Sequence, residues 1–230
     1  MNRTTSLAVL ALLLAAATPA APAPAPYAGA QFRYWAFSDH DDLRDVVAYW
    51  VPGPFHVQLE VWDFARGRDQ FRPEVGLHLR DPRRSVYTLQ WRHEGERERF
   101  WLGTDQVLSR HLVGRGEASP IVAREGRTDW VLDGGLDFYW ADYSFATATL
   151  IRDPREGGLW VVPLRVRLAD VRNDWIQLTL APASRRSLGW AAEGKLRWLR
   201  LGVERNNRYD FTRLDNVVWT AGVEGPLPGR

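Results

Sequence analysis

The chain has 230 residues, enough for one all-β domain. Thirty Lys and Arg stand against 28 Asp and Glu, a net charge of +2, so there is no electrostatic case for a nucleic-acid partner. There is no cysteine, which excludes disulfide staples and thiolate metal sites.

The N-terminus carries the marks of export. Met1-Asn2-Arg3 is a short basic region, Leu7 to Ala17 is an apolar run too short to span a bilayer as a helix, and small residues follow. Cleavage after Ala20, or after Ala30 with Ala28 at the −3 position, fits the pattern. The Ala-Pro run from Ala20 to Pro26 reads as a spacer. Residues 1–30 are therefore set aside, and the folded domain is expected over 31–230. No second apolar run of helical spanning length occurs, and no cysteine is available for a lipid anchor.

Gln31 to Phe37 reads as an aromatic-rich strand and Val46 to Val51 as a short one turned by Pro52-Gly53-Pro54. Phe55 to Phe64 alternates, with Phe55, Val57, Leu59 and Val61 on one face and His56, Gln58, Glu60 and Trp62 on the other. Gln70 to Arg80 repeats this, with Val75, Leu77 and Leu79 opposite Arg72, Glu74 and His78. Ser85 to His93 presents Tyr87, Leu89 and Trp91 on one side, and Phe100 to Val113 reads as one long or broken strand. Gly114 to Ser119 is loop-like, Ile121 to Ala123 is a weak strand, and Gly134-Gly135 predicts a bulge within Trp130 to Trp140.

The clearest segments follow. Between the turn at Asp153 to Gly158 and the turn at Val171 to Asp174, Trp160, Val162, Leu164, Val166 and Leu168 alternate with Val161, Pro163, Arg165, Arg167 and Ala169. Trp175 to Leu180 puts Ile176 and Leu178 on its apolar face. Leu188 to Arg205 is strand-like with an interruption around Gly194-Lys195, and Asn216 to Glu224 closes the chain. No 3.6-residue period lasts ten residues, so the class is all-β, sandwich or barrel.

Alternation fits a soluble two-sheet sandwich as well as a membrane barrel. Segments of about 9–11 residues and aromatics near segment ends (Trp91, Trp160, Trp175, Tyr143) favour the barrel. Pro73 and Pro163 lack an N–H and are expected at bulges or outside the hydrocarbon zone.

The stretch from Gly135-Leu136-Asp137-Phe138-Tyr139 to Ala181 holds Tyr143-Ser144, the Asp153-Pro154-Arg155 turn with Gly157-Gly158, Val166-Arg167-Leu168 and Gln177-Leu178. It resembles the late strands of the YaiO-type outer-membrane β-barrel family. Phe64 to Asp69 and Leu201 to Asp210 extend the likeness over most of the chain. The resemblance implies a Gram-negative outer-membrane location and a link to envelope polysaccharide export or assembly. One departure stands out: such barrels usually end on an aromatic residue, and this sequence ends Gly225-Pro226-Leu227-Pro228-Gly229-Arg230.

The expected architecture is a closed antiparallel up-and-down transmembrane β-barrel of about twelve strands. Val57, Leu59, Val75, Leu77, Val162, Leu164, Val166, Ile176 and Leu178 would face lipid. Glu60, Arg72, Glu74, Arg165, Arg167, Arg200 and Glu204 would point into the lumen and pair across a narrow bore as a plug, or line a polar path for a solute. Deleting Arg165 and Arg167 together would then leave buried carboxylates unpaired. The expected partners are outer-membrane lipid, lipopolysaccharide and the barrel-assembly machinery, with no cofactor and no metal. The alternatives are a secreted or periplasmic sandwich that binds carbohydrate or lipid, and a lipid-modifying barrel enzyme.

Asp39-His40-Asp41-Asp42 has the donors of a cation site, though a solvated loop has the same composition. Ser109 and His111 would share a strand face, but no sharp nucleophile turn accompanies them, so no catalytic residue is assigned. The tryptophans suit a membrane girdle or core, with sugar stacking as a further use.

Overall fold

The computed structural model describes residues 26–37, 42–64, 70–80, 85–153, 159–171, 174–184, 188–207 and 215–226. The strands in chain order are β1 Tyr27–Phe37, β2 Leu43–Val51, β3 Phe55–Phe64, β4 Gln70–Arg80 and β5 Val86–His93. Next come β6 Arg97–Val107, β7 Leu112–Ala123, β8 Thr128–Tyr139, β9 Phe145–Asp153 and β10 Leu159–Val161. The last five are β11 Leu164–Val171, β12 Asp174–Pro182, β13 Leu188–Leu196, β14 Leu199–Asn207 and β15 Asp215–Pro226.

Consecutive strands pair antiparallel around one sheet, and β1 pairs with β15 over its whole length, from Tyr27↔Pro226 to Phe37↔Asn216. The sheet is therefore closed. Full closure removes the edges that an open sheet of this size would leave unpaired. β10 and β11 occupy one position in the ring, since both lie on β9 in a single register, Val161↔Ile151 and Leu164↔Ala148. The ring has fourteen positions rather than the expected twelve. At a spacing of about 4.8 Å and a tilt of about 40°, fourteen strands close on a radius of roughly 14 Å.

The extra strands come from two stretches that hide their turns. Phe100 to Val113 is split by the connection Leu108 to His111 into β6 and β7, and β7 runs on through Gly114 to Ala123 instead of pausing there. Leu188 to Arg205 does break, but at Arg197-Trp198 rather than at Gly194-Lys195, which lie inside β13. Arg197 takes a positive φ of 55° in that two-residue hairpin.

The glycine pair in β8 makes no bulge. Its register with β7 and β9 is unbroken, and a Cβ on Gly135 would lie 2.6 Å from the Ala148 carbonyl oxygen. The glycine permits a close approach of backbones, not an extra residue. Pro73 also sits in register, opposite Leu59, but just beyond the last paired residue on the β5 side, Glu74. Pro163 marks the gap between β10 and β11. Its carbonyl accepts from the Thr149 N–H at 3.0 Å, so the ladder survives on the acceptor side. The one register shift of β11 falls between Ala169 and Val171.

β1 starts at Tyr27, so Tyr27 to Ala30 already belong to the barrel, four residues before the expected boundary. Both β1 and β15 have their outer chain ends on one rim, which also carries the connections Pro52 to Pro54, Leu108 to His111, Trp140 to Ser144 and Arg197-Trp198. The longest connection on either rim joins Asn207 to Asp215 with seven residues.

The outer face is apolar, as the alternation predicts. Val57, Leu59, Leu164, Val166, Ile176 and Leu178 are exposed on it. Val75 and Val162 are half-buried. Leu77 keeps its place on the outer face by register, between Phe55 and Leu89, but is only 1 % exposed, which corrects the expected open contact with lipid. Exposed aromatics form two bands. Trp50, Tyr87, Trp140, Tyr143 and Trp198 ring the terminal rim, and Trp130, Trp160 and Trp190 lie toward the other. This is the arrangement that sits at the two interfaces of a bilayer. Trp175 is not among them; it points inward.

Candidate functional site

Residues that pair across antiparallel strands share a face, so the register assigns every inward side chain. Arg33 pairs with Asp45 and Thr220, Glu60 with Arg72, Glu74 with Arg92, and Arg200 with Lys195 and Gly222. All seven residues expected in the lumen (Glu60, Arg72, Glu74, Arg165, Arg167, Arg200 and Glu204) lie on this inner face.

Three networks line the wall. In the first, Arg33 on β1 donates to Asp45 at 2.8 Å and also reaches Glu60 on β3. Glu60 is 2 % exposed and faces Arg92 at 3.6 Å and Arg72 at 4.0 Å. Arg92 continues to Glu74 at 2.5 Å, and His56 approaches the same carboxylate at 3.2 Å. In the second, Arg115 on β7 holds Asp137 on β8 at 2.6 Å and Asp105 on β6 at 3.8 Å, while the Thr147 hydroxyl donates to Asp137 at 2.8 Å. In the third, Arg200 on β14 holds Glu193 at 2.6 Å and Glu224 at 3.4 Å. Lys195 meets Glu224 at 3.4 Å, and Tyr49 donates to the same carboxylate.

These ion pairs join strands that are adjacent or once removed in the ring. They run along the wall instead of crossing the bore, which corrects the expected plug. A fourteen-strand ring is too wide for most side chains to meet across it. Burying these charges is tolerable because each has a partner and further hydrogen bonds.

Arg165 and Arg167 depart further from expectation. Among the described residues neither has a carboxylate partner. Arg167 donates to the Gln177 side-chain oxygen at 2.9 Å and lies 4.2 Å over the Trp175 ring. The Nε of Arg165 is buried without a hydrogen-bond partner.

The inner wall is not ionic throughout. Four tryptophans face inward, and each lies under a guanidinium: Trp35 under Arg33, Trp62 under Arg72 at 3.7 Å, Trp101 under Arg92 and Arg99, and Trp175 under Arg167 and Arg200. Cation–π contact of this kind stabilises both partners in a low-dielectric site. Toward the rim opposite the termini, Trp35, Leu43, Trp62 and Val218 form one apolar cluster and Val161 and Ala181 another.

The other sequence candidates do not assemble. Residues 39–41 lie outside the described residues; Asp42 accepts hydrogen bonds from the Tyr34 hydroxyl and the Phe37 N–H. Ser109 and His111 fall in the β6–β7 connection, not on a strand. The Ser109 oxygen accepts from the His111 backbone N–H at 3.3 Å, and the imidazole Nδ1 lies against the Tyr139 carbonyl. That is turn chemistry, with no hydroxyl–imidazole contact. Among the described residues no group of three His, Asp or Glu side chains is placed to hold a metal.

Sequence reading missed Arg33, Asp45, Arg92, Arg115, Asp137, Glu193, Lys195 and Glu224. The signal was present in their parity: Arg33 is two residues from Trp35, and Arg92 lies opposite in phase to Tyr87, Leu89 and Trp91.

No family model matches the chain, and no curated protein does. Solved structures do. A KdgM porin in complex with disordered oligogalacturonate superposes with a TM-score of 0.53 at 8 % identity, covering 87 % of this chain and 99 % of that one. The chain has the fold of an outer-membrane porin. A mutant porin of Rh. blastica gives a TM-score of 0.50 at 7 % identity with the same coverage. At such identities the likeness is one of backbone alone, and the porin-like ring here is lined by its own set of charges.

Proposed function

We propose that this protein is a non-enzymatic outer-membrane channel of a Gram-negative bacterium, offering a narrow polar path to small hydrophilic solutes. The observation that carries the reading is the joint one of closure and polarity: fourteen strands meet through β1 and β15, with an apolar, aromatic-banded exterior and an inner wall of charge networks. Such a surface is satisfied only with acyl chains outside and water inside. A sandwich would instead bury its apolar face between two sheets. The rim where β1 begins and β15 ends, which also has the shortest turns, fits the periplasmic side.

An N-terminal signal peptide accords with this route, and removal upstream of Tyr27 would preserve all of β1. Lipopolysaccharide around the exterior and the barrel-assembly machinery during insertion complete the partners the reading requires. The narrower affiliation, with YaiO-type barrels and envelope polysaccharide, rests on the Tyr143-Ser144 to Gln177-Leu178 motifs. One structural neighbour is a complex with oligogalacturonate, an acidic saccharide, and guanidinium-lined walls suit solutes of that class.

The test is reconstitution. Refolded protein added to a planar lipid bilayer should give discrete conductance steps, and unboiled protein should migrate differently from boiled protein on a gel. A protein that fractionates as soluble, with one migration and no conductance, would refute the reading.

A further inference from the structure

We infer that Arg165 and Arg167 form an anion-attracting station on the channel wall and set its charge selectivity. This deepens the channel reading and rests on it. Other guanidiniums of the inner wall have carboxylates in hand: Arg33 has Asp45 and Glu60, Arg92 has Glu74, Arg115 has Asp137, and Arg200 has Glu193 and Glu224. Carboxylates offset those cations, so they present little positive field to a passing ion. Arg165 and Arg167 differ from them in having none among the described residues.

They stand two apart on β11, on the same inner face and about 6.7 Å from each other along the strand. The nearest carboxylates on the ladder are committed elsewhere. Asp137 lies two positions from Arg165 by way of Thr147 and is taken by Arg115 and Thr147 itself. Glu193 is two positions from Arg167 by way of Gln177 and is taken by Arg200. Glu204 shares the row of Arg165 but lies three strands away, about 14 Å at ladder spacing.

The immediate ladder neighbours are Thr147 and Thr179 beside Arg165, and Phe145 and Gln177 beside Arg167. This is a setting of hydroxyl, amide and aromatic groups, none of which neutralises the cations. Gln177 and Trp175 hold the Arg167 guanidinium in place, and the Arg165 Nε is buried without a partner. Two neighbouring guanidiniums without a carboxylate among the described residues suit an oxyanion (carboxylate, sulfate or phosphate), and charge-assisted bonds to such groups are the strong ones.

The mature protein and its Arg165→Gln/Arg167→Gln variant would be compared in planar bilayers under a tenfold KCl gradient, reading the reversal potential. The wild type should prefer chloride, and the variant should lose that preference by about fivefold or more in permeability ratio. Arg165→Lys/Arg167→Lys keeps the charge and should stay anion-preferring; it also serves if the glutamine variant fails to fold, with Arg165→Gln alone then testing the loss. Equal reversal potentials in conducting wild type and glutamine variant would overturn the inference. A folded wild type that never conducts defeats the channel reading instead. Titration with tripolyphosphate in detergent then decides this one: weaker binding in the variant upholds the station, and equal or absent binding ends it.

Discussion

Tyr49 on β2 reaches across β1 to donate a hydrogen bond to Glu224 on β15. The strand between them makes room with Gly29, whose absent side chain would collide with the Tyr49 ring and lie 2.8 Å from the Glu224 Cβ. The contact ties three strands together on the inner side of the seam, where the two ends of the sheet meet. Lys195 and Arg200 reach the same carboxylate from β13 and β14, so groups on four strands meet at one anion.

The seam should therefore be sensitive to the hydroxyl. Tyr49→Phe keeps the ring and removes the bond to a charged acceptor, a loss of about 1.5–3 kcal/mol. Gly29→Val should cost more, because a β-branched side chain displaces the ring altogether. Urea unfolding of detergent- or vesicle-folded protein, followed by tryptophan fluorescence, measures both. A Tyr49→Phe midpoint equal to wild type would show that the seam does not depend on this bond.

Glu60 should be the most costly charge to remove. It is buried and faces Arg33, Arg72 and Arg92. Glu60→Gln leaves those guanidiniums under-compensated, at a cost of about 3–5 kcal/mol. Arg127, exposed beside Asp129 in the β7–β8 connection, is the control, and Arg127→Ala should leave the unfolding midpoint unchanged. The same titration reads both variants, and equal stability in the two would contradict the wall networks described above.

Arg165→Ala/Arg167→Ala, by contrast, should lower stability only modestly. Among the described residues no carboxylate is left stranded; the losses are one hydrogen bond to Gln177 and the contacts over Trp175 and Phe145. A fall in midpoint as large as that of Glu60→Gln would mean the two arginines carry a hidden acidic partner.

On the outside, Leu178 and Ile176 are among the most exposed apolar side chains. Leu178→Arg should cost about 2–4 kcal/mol if the residue sits near the bilayer midplane. Thr179→Arg, one residue along and facing inward, should be far milder. The yield of heat-modifiable protein in vesicles separates them, and equal yields would undo the assignment of the two faces.

The two-residue period made much of this readable. Val162 to Leu168 and Val57 to Val61 alternate so strictly that the face of each residue follows from parity, and the structure keeps that order. The hairpin at Arg197-Trp198 was not readable. Apolar Leu196 and Leu199 flank it, and its positive-φ position holds arginine instead of the glycine or asparagine that usually marks such a turn. At Trp175 residue type and phase disagree: an indole suits a girdle, yet it alternates with Ile176 and Leu178 and shares its face with Gln177 and Thr179. Charge pairing lay further out of reach. Arg92 meets Glu74 across a single hairpin, but only once the register is fixed, and Lys195 meets Glu224 from two strands away, which no local pattern reveals.

The first residue of β1 lies opposite Pro226 near the end of the last strand. Almost the whole chain must consequently be made before the cylinder has a complete circumference, and until then the nascent sheet exposes two unmatched borders. Whatever shepherds such a chain to its membrane has to shield those borders, and a ribosome that stops short of Asp215 releases a product without the strand that joins them.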